Sequence, residues 1–318
     1  MSSLVLQIWI ALALDFLIGD PRWLPHPVRF IGRVACGLEH PTRRWFPSAR
    51  VAGMVTAAVV IGSTAGAVWA LLALAHRVAP VAKDILSIGI LYTTFAARDL
   101  ADHGRAVARE LEQGDLPAAR RRVSWMVGRD TDHLDETGIT RAAVESVAEN
   151  TVDGVLAPLF FAFLGGPVAA MAYKAVNTLD STFGYRNERY IHFGWASARL
   201  DDAANYLPAR LGAPLIALAA LFLGESPRNA LRMCRRDGGK HNSPNAGFSE
   251  AAMAGALGIR LGGPVLRQGK TDDMPCLGDA LRPLERGHIR RANALMLGAT
   301  LAAALVFSAA RMSVAVPV

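Results

Sequence analysis

The chain has 318 residues, 52% hydrophobic and 19% charged, with a formal net charge of +7. That charged share falls below the roughly 25% of an average soluble domain. Cys36, Cys234 and Cys276 are too scattered for a disulfide framework or zinc site. The basic excess sits in loops beside apolar segments, so it follows the positive-inside rule and implies no nucleic-acid partner.

Leu4–Gly19 reads as a retained first helix. No basic segment precedes it and no small-residue cleavage site follows it. Residues 20–50 carry six arginines and read as a cytoplasmic loop, which places the N-terminus outside. Val51–Ala75 and Val81–Ala97 then form a spanning hairpin that turns near His76–Pro80. Residues 98–154 are polar, with the basic triplet Arg120-Arg121-Arg122. Val155–Tyr173 is apolar but broken at Gly165-Gly166-Pro167, as in a re-entrant hairpin, which keeps residues 174–211 near the cytoplasmic face. Gly212–Gly224 is short for a span, residues 225–291 are basic, and Ala292–Ala310 is long enough to cross. The expectation is an all-α polytopic membrane protein. It has about four full spans, shorter apolar segments, and one membrane-embedded domain over residues 1–318. Its polar active-site loops are residues 98–154, 174–211 and 225–291.

Five polar constellations interrupt this pattern. Asp15 lies inside an apolar helix, ahead of Gly19-Asp20-Pro21. An ionisable residue there is either functional or paired with Arg22 or Arg29. Arg141, Glu145, Glu149 and Asp153 recur every four residues along one helix stripe, with Thr140 as N-cap and the end near Gly154 and Pro158. Two acids at that spacing repel, and with Asp153 and Asn150 they suit a hard cation such as Mg²⁺; a solvated helix face is the alternative. Lys174, Asn177 and Ser181 share a face near Asp180 and Gly184-Tyr185-Arg186. Lys174 has a phosphate-binding or a snorkelling reading. Asp201-Asp202, followed by Asn205, is either a metal-binding pair or a dipole-offsetting pair at a helix start. Gly239-Lys240-His241-Asn242-Ser243-Pro244-Asn245, then Glu250, leads into an Ala/Gly-rich helix and can present cations and amides to phosphate, although it is not a P-loop.

These blocks, in this order, closely resemble the CobD/CbiB family of cobalamin biosynthesis, adenosylcobinamide-phosphate synthase. The strings that carry the likeness are LDFLIGDPRWLPHPVRFIGR, AVESVAENTVDGVLAPLFF, YKAVNTLDSTFGYRNERYIHFGWASARLDDAANYLPARL and HNSPNAGFSEAAMAGALGIRLGG. The resemblance implies a multi-pass bacterial inner-membrane ligase. It would join aminopropanol, or its O-phosphate, to the free propionate of adenosylcobyric acid at the expense of ATP. The lipid bilayer and other late enzymes of the pathway are the further expected partners.

Chemistry then distributes roles. Mg²⁺ and ATP are expected, with Glu145 and Glu149 as metal-holding catalytic acids, Asp153 beside them, and Asp201 and Asp202 as competing ligands. Lys174, Arg186, Lys240 and His241 are expected to hold phosphates. Asp180 is expected to take a proton from the attacking ammonium. Asn150, Asn177, Asn205 and Asn245 suit the amide-rich rim of a corrinoid. Two other classes fit less well. A transporter would show paired repeats, and a non-catalytic scaffold for corrinoid enzymes would not need so many acids and amides together.

Overall fold

A computed structural model describes residues 3–21, 23, 26–185, 187–267 and 269–314. Among them are thirteen α-helices, one π-helical segment and a single β-hairpin. Three helical stretches, Ala49–Val78, Glu136–Phe183 and Gly287–Ser313, are long and apolar enough to cross a bilayer. The broken pair Trp195–Ala204 and Tyr206–Phe222 would make a fourth. The all-α polytopic expectation therefore holds, but the spans are redistributed. The chain forms two compact units, residues 1–96 with 157–205 and 307–318, and residues 97–156 with 206–306.

The first unit is built on α3 (Ala49–Val78), whose apolar window is only 22% covered by protein. Trp69, Leu71 and Leu74 point outward from it, as lipid-facing residues do. Helix α1 (Ser3–Ile18) packs on α4 (Pro80–Tyr92). Gln7 joins them, donating to Asp84 at 2.8 Å and accepting from Ser87. The second expected span ends early, at Tyr92, so α4 has 13 residues rather than a crossing length. The arginine-rich region expected as a loop holds a third helix, α2 (Pro27–Trp45), with Ile31, Ala35 and Thr42 turned inward. Thr42 meets Thr56 of α3 at 2.9 Å. Gly53 lets Phe193 approach, because a Cβ there would lie 1.9 Å from the Phe193 carbonyl oxygen.

Helix α8 (Ala157–Phe183) is broken where the sequence breaks it: Gly165 and Gly166 leave helical geometry, Gly166 at φ 66°. Phe183 meets Phe193 edge to face, and α9 (Trp195–Ala204) packs against α8. The last turns of α13 (Gly287–Val314) join this unit, where Trp9 donates to Ser308.

The second unit contains α5 (Ala97–Glu112), α6 (Leu116–Val123) and α7 (Glu136–Asn150). Helix α7 starts four residues before the expected cap. Asp135, rather than Thr140, accepts from the Gly138 amide at 2.7 Å. It also fails to stop at Gly154. Its backbone widens into a π-helical segment, Thr151–Leu156, a form often found at functional sites.

Helices α10 (Tyr206–Phe222), α11 (Pro227–Asp237) and α12 (Ala246–Leu257) form a tight layer. Every residue of α12 but Phe248 is buried, and at Gly255 a Cβ would lie 2.3 Å from the Asn229 carbonyl oxygen. Small residues here permit close helix contact. Strands β1 (Leu261–Arg267) and β2 (Lys270–Leu277) pair antiparallel, a feature absent from the sequence reading.

Candidate active site

The second unit contains a small polar cavity of about 120 Å³. Arg129, Glu145, Glu149, His241, Glu250 and Arg267 supply its charged and titratable walls. Helix α7 presents Glu145 and Glu149 one turn apart. The loop before α12 presents His241, and the first turns of α12 present Glu250. The hairpin closes the remaining side.

Glu145 is fully engaged. Its Oε2 accepts from Arg129 at 2.6 Å and its Oε1 from the Gly262 amide at 2.7 Å. Gly262 can approach because its φ of 81° suits glycine, and a Cβ would lie 2.0 Å from the Pro275 carbonyl oxygen. Arg141 holds the same turn from its other side, donating to the Gly262 carbonyl at 2.8 Å.

His241 is oriented by its own loop. Its Nδ1 accepts from the Ser243 amide at 2.9 Å, so the neutral ring carries its proton on Nε2. That nitrogen lies 3.9 Å from Oε1 of Glu250. Burial lowers the His241 pKa from its ordinary value. Glu250 is only 6% exposed. Burial, reinforced by the charges of Glu149 and Glu145, pushes its pKa well above the usual carboxylate range. Glu149 is more open, on the exposed side of α7. Two acids that repel, beside a neutral imidazole and two arginines, can hold a proton or a cation and face a phosphate.

The expected residues divide between the units. Glu145, Glu149 and His241 meet in the cavity, and Asp153 in the π-helical segment is not among its walls. Lys240, expected to hold phosphate, is taken by Asp237 at 2.7 Å. Arg236 and the Gly278 amide bind the same carboxylate, and Arg236 chiefly holds the Asp237 pKa far below its usual range. Asn245 accepts from Arg210 at 3.3 Å, and that guanidinium lies over the rings of Tyr206 and Phe248.

In the first unit the aspartate pair separates. Asp201 is buried and accepts from Asn177 at 3.3 Å and Asn205 at 3.0 Å, while Asn205 accepts from the Tyr173 hydroxyl at 2.8 Å. Asp202 turns to Arg199 instead. Asp180 lies over Gly184, where a Cβ would lie 2.0 Å from its Oδ1. Lys174 sits half-buried on the same helix, and its carbonyl accepts from Thr178. Asn150 folds back to the Ser146 carbonyl at 2.9 Å. Asp15 is buried within α1. Arg186 lies outside the described residues.

Glu145, Glu149 and Asp153 lie in the second unit, and Asp201 and Asp202, expected as competing ligands, lie in the first. Among the described residues no group of three or more His, Cys, Asp or Glu side chains is arranged to hold an ion. Arg129, Glu250 and Arg267 were not assigned roles from sequence. Glu250 carried a signal, since it is the only charge in the apolar run of α12. Arg129 carried none.

The sequence model of the CobD/CbiB protein family matches residues 8–296. The cobalamin biosynthesis protein CobD of Geobacter metallireducens is 52% identical over 289 residues, 91% of each chain. The cobalamin biosynthesis protein CbiB of Salmonella arizonae is 50% identical over 305 residues, 95% of this chain and 96% of the relative. CobD of Klebsiella pneumoniae is 48% identical over a stretch of the same length and coverage. No solved structure matches the chain.

Proposed function

This chain belongs to the CobD/CbiB family, and from that premise we propose that it is an ATP-dependent carbon–nitrogen ligase of cobalamin biosynthesis in the bacterial inner membrane. It joins aminopropanol, or its O-phosphate, to the free propionate of adenosylcobyric acid. The observation that supports this reading is the cavity that gathers Glu145, Glu149, Glu250, His241, Arg129 and Arg267. At about 120 Å³ it is smaller than the roughly 300 Å³ of a typical ligand pocket, so it takes the reacting end of a substrate rather than a corrinoid.

A carboxylate does not acylate an amine unaided at neutral pH. ATP makes the reaction favourable: the propionate oxygen takes the γ-phosphoryl group, ADP leaves, the amine attacks the acyl carbon, and phosphate departs. Arg267 and Arg129 face the phosphate charge. Arg129 is fixed by Glu145, so its orientation is set before substrate arrives. The Nε2–H of His241 is a donor directed into the cavity. Glu250 is the proton acceptor: its raised pKa makes its carboxylate the stronger base for the attacking ammonium. This replaces Asp180, whose carboxylate lies against Gly184.

Glu149, the open acid of the cavity, fits Mg²⁺, which takes one or two carboxylates and completes its shell with water and phosphate oxygens. A bound Mg²⁺ would neutralise phosphate charge at the transferring group. Glu145 is not a ligand in this proposal, because both its oxygens are engaged.

The test is reconstitution. Purified protein in nanodiscs receives adenosylcobyric acid, Mg-ATP and either amine. Mass spectrometry is expected to detect a product with one new amide, absent when ATP is omitted. Saturable corrinoid binding with no product would refute the ligase.

A further inference from the structure

We infer that the exposed arginine face of α11 binds the phosphate headgroups of anionic phospholipids. This face lies outside the proposed active site and does not depend on that reading. Helix α11 turns Ala230 and Met233 inward. Arg228, Arg232 and Arg235, spaced four and three residues apart, stay exposed along its opposite side. With Arg236 they border a shallow groove of about 500 Å³, and Leu231 is its apolar wall.

The acids nearby are already engaged. Asp237 and Asp279 take Arg236, each at 2.7 Å, and Asp237 also takes Lys240. Glu225 is held by Arg291. Among the described residues no ion pair engages Arg228, Arg232 or Arg235. Three like charges on adjacent turns repel, and an external anion offsets that repulsion.

The neighbouring chain identifies the anion's source. Helix α10 ends in Leu221 and Phe222, and Leu223 follows it; they are 60%, 81% and 45% exposed. Three consecutive outward apolar residues, a short turn, and then a basic helix match an interfacial segment: apolar side chains enter the acyl boundary and arginines meet the phosphate layer. A soluble acidic protein or free phosphate would leave Phe222 in water. Each Arg near an anionic surface adds to the attraction, so three give a measurable preference.

The test is native mass spectrometry of the full-length protein in detergent, with equal phosphatidylglycerol and phosphatidylcholine. The wild type is expected to retain phosphatidylglycerol preferentially, and the triple variant Arg228→Gln, Arg232→Gln, Arg235→Gln to lose that preference by at least about tenfold. The triple Lys variant, which keeps the charge, is expected to retain it and thereby controls for folding. Unchanged preference in the Gln variant would overturn the proposal. So would equal retention of both lipids, or displacement of bound phosphatidylglycerol by millimolar inorganic phosphate.

Discussion

His241 turns Nε2 toward Glu250, 3.9 Å from its carboxylate, because the Ser243 amide occupies its other ring nitrogen. The pair is largely buried, and burial acts on its members in opposite directions. It raises the Glu250 pKa and lowers that of His241. Both shifts have the same origin, since burial in a low-dielectric site disfavours the charged form of either group.

The stability consequences have opposite signs. A carboxyl with a raised folded-state pKa holds its proton more tightly than in the unfolded chain. Stability is therefore lost as pH rises from the ordinary value of 4.5 through the higher folded value. His241, lowered from 6.5, contributes stability above that value, and the contribution is lost as pH falls below it. Glu250→Gln is expected to flatten the high-pH side of a Tm profile and leave the low-pH side unchanged. An unchanged high-pH slope would contradict the Glu250 assignment.

The same substitution tests catalysis. Glu250→Gln is expected to lower turnover by about 100-fold or more, since a positioned base contributes that much. Single-turnover kinetics with retained corrinoid binding would separate this loss from misfolding. Wild-type turnover would return the proton-acceptor role to Asp180.

Arg129 and Glu145 form a largely buried pair, 13% and 7% exposed. Arg129→Ala leaves Glu145 without its charged partner, and the expected cost is about 3–5 kcal/mol. Glu145→Gln keeps a hydrogen-bond acceptor and should cost less. A double-mutant cycle on thermal or denaturant unfolding measures the coupling, and additive effects would mean that the pair is not formed.

Glu149 is the open acid of the cavity. Glu149→Gln is expected to raise the Mg²⁺ concentration needed for half-maximal product by roughly tenfold, with little change in Tm. An unaltered Mg²⁺ titration would remove it from the metal site.

How much of this was legible in the sequence depended on distance along the chain. Glu145 and Glu149 were visible as a repelling pair four residues apart, and the Gly-Gly-Pro break appears at Gly165 and Gly166 where the residues put it. The fixing of Glu145 was not visible, because its Gly262 partner lies 117 residues away on a hairpin whose glycines and acids do not read as a strand. Helix α2 was hidden by its arginines, which resemble a loop by composition although its inward residues follow a helical period. Asp201 and Asp202 read as a pair only because they are adjacent. Successive helix positions diverge by about 100°, which sends one into the Asn177–Asn205 network and the other to Arg199.

Close backbone approach gives a fold test independent of chemistry. Gly53→Ala would place a Cβ against the Phe193 carbonyl and is expected to destabilise by about 1–3 kcal/mol. Gly62→Ala, in the same helix with open space around it, is the control and should be neutral or slightly stabilising. Equal Tm values for both would place Phe193 elsewhere.

The most direct measurement of the ligase is an oxygen-transfer experiment with adenosylcobyric acid labelled with ¹⁸O in its free carboxylate. The reaction would run with Mg-ATP and aminopropanol phosphate, and the released inorganic phosphate would be examined by mass spectrometry. One ¹⁸O is expected in phosphate for each amide formed, because the carboxylate oxygen leaves with the phosphoryl group. Amide formed with no label in phosphate, or with ATP left intact, would contradict it.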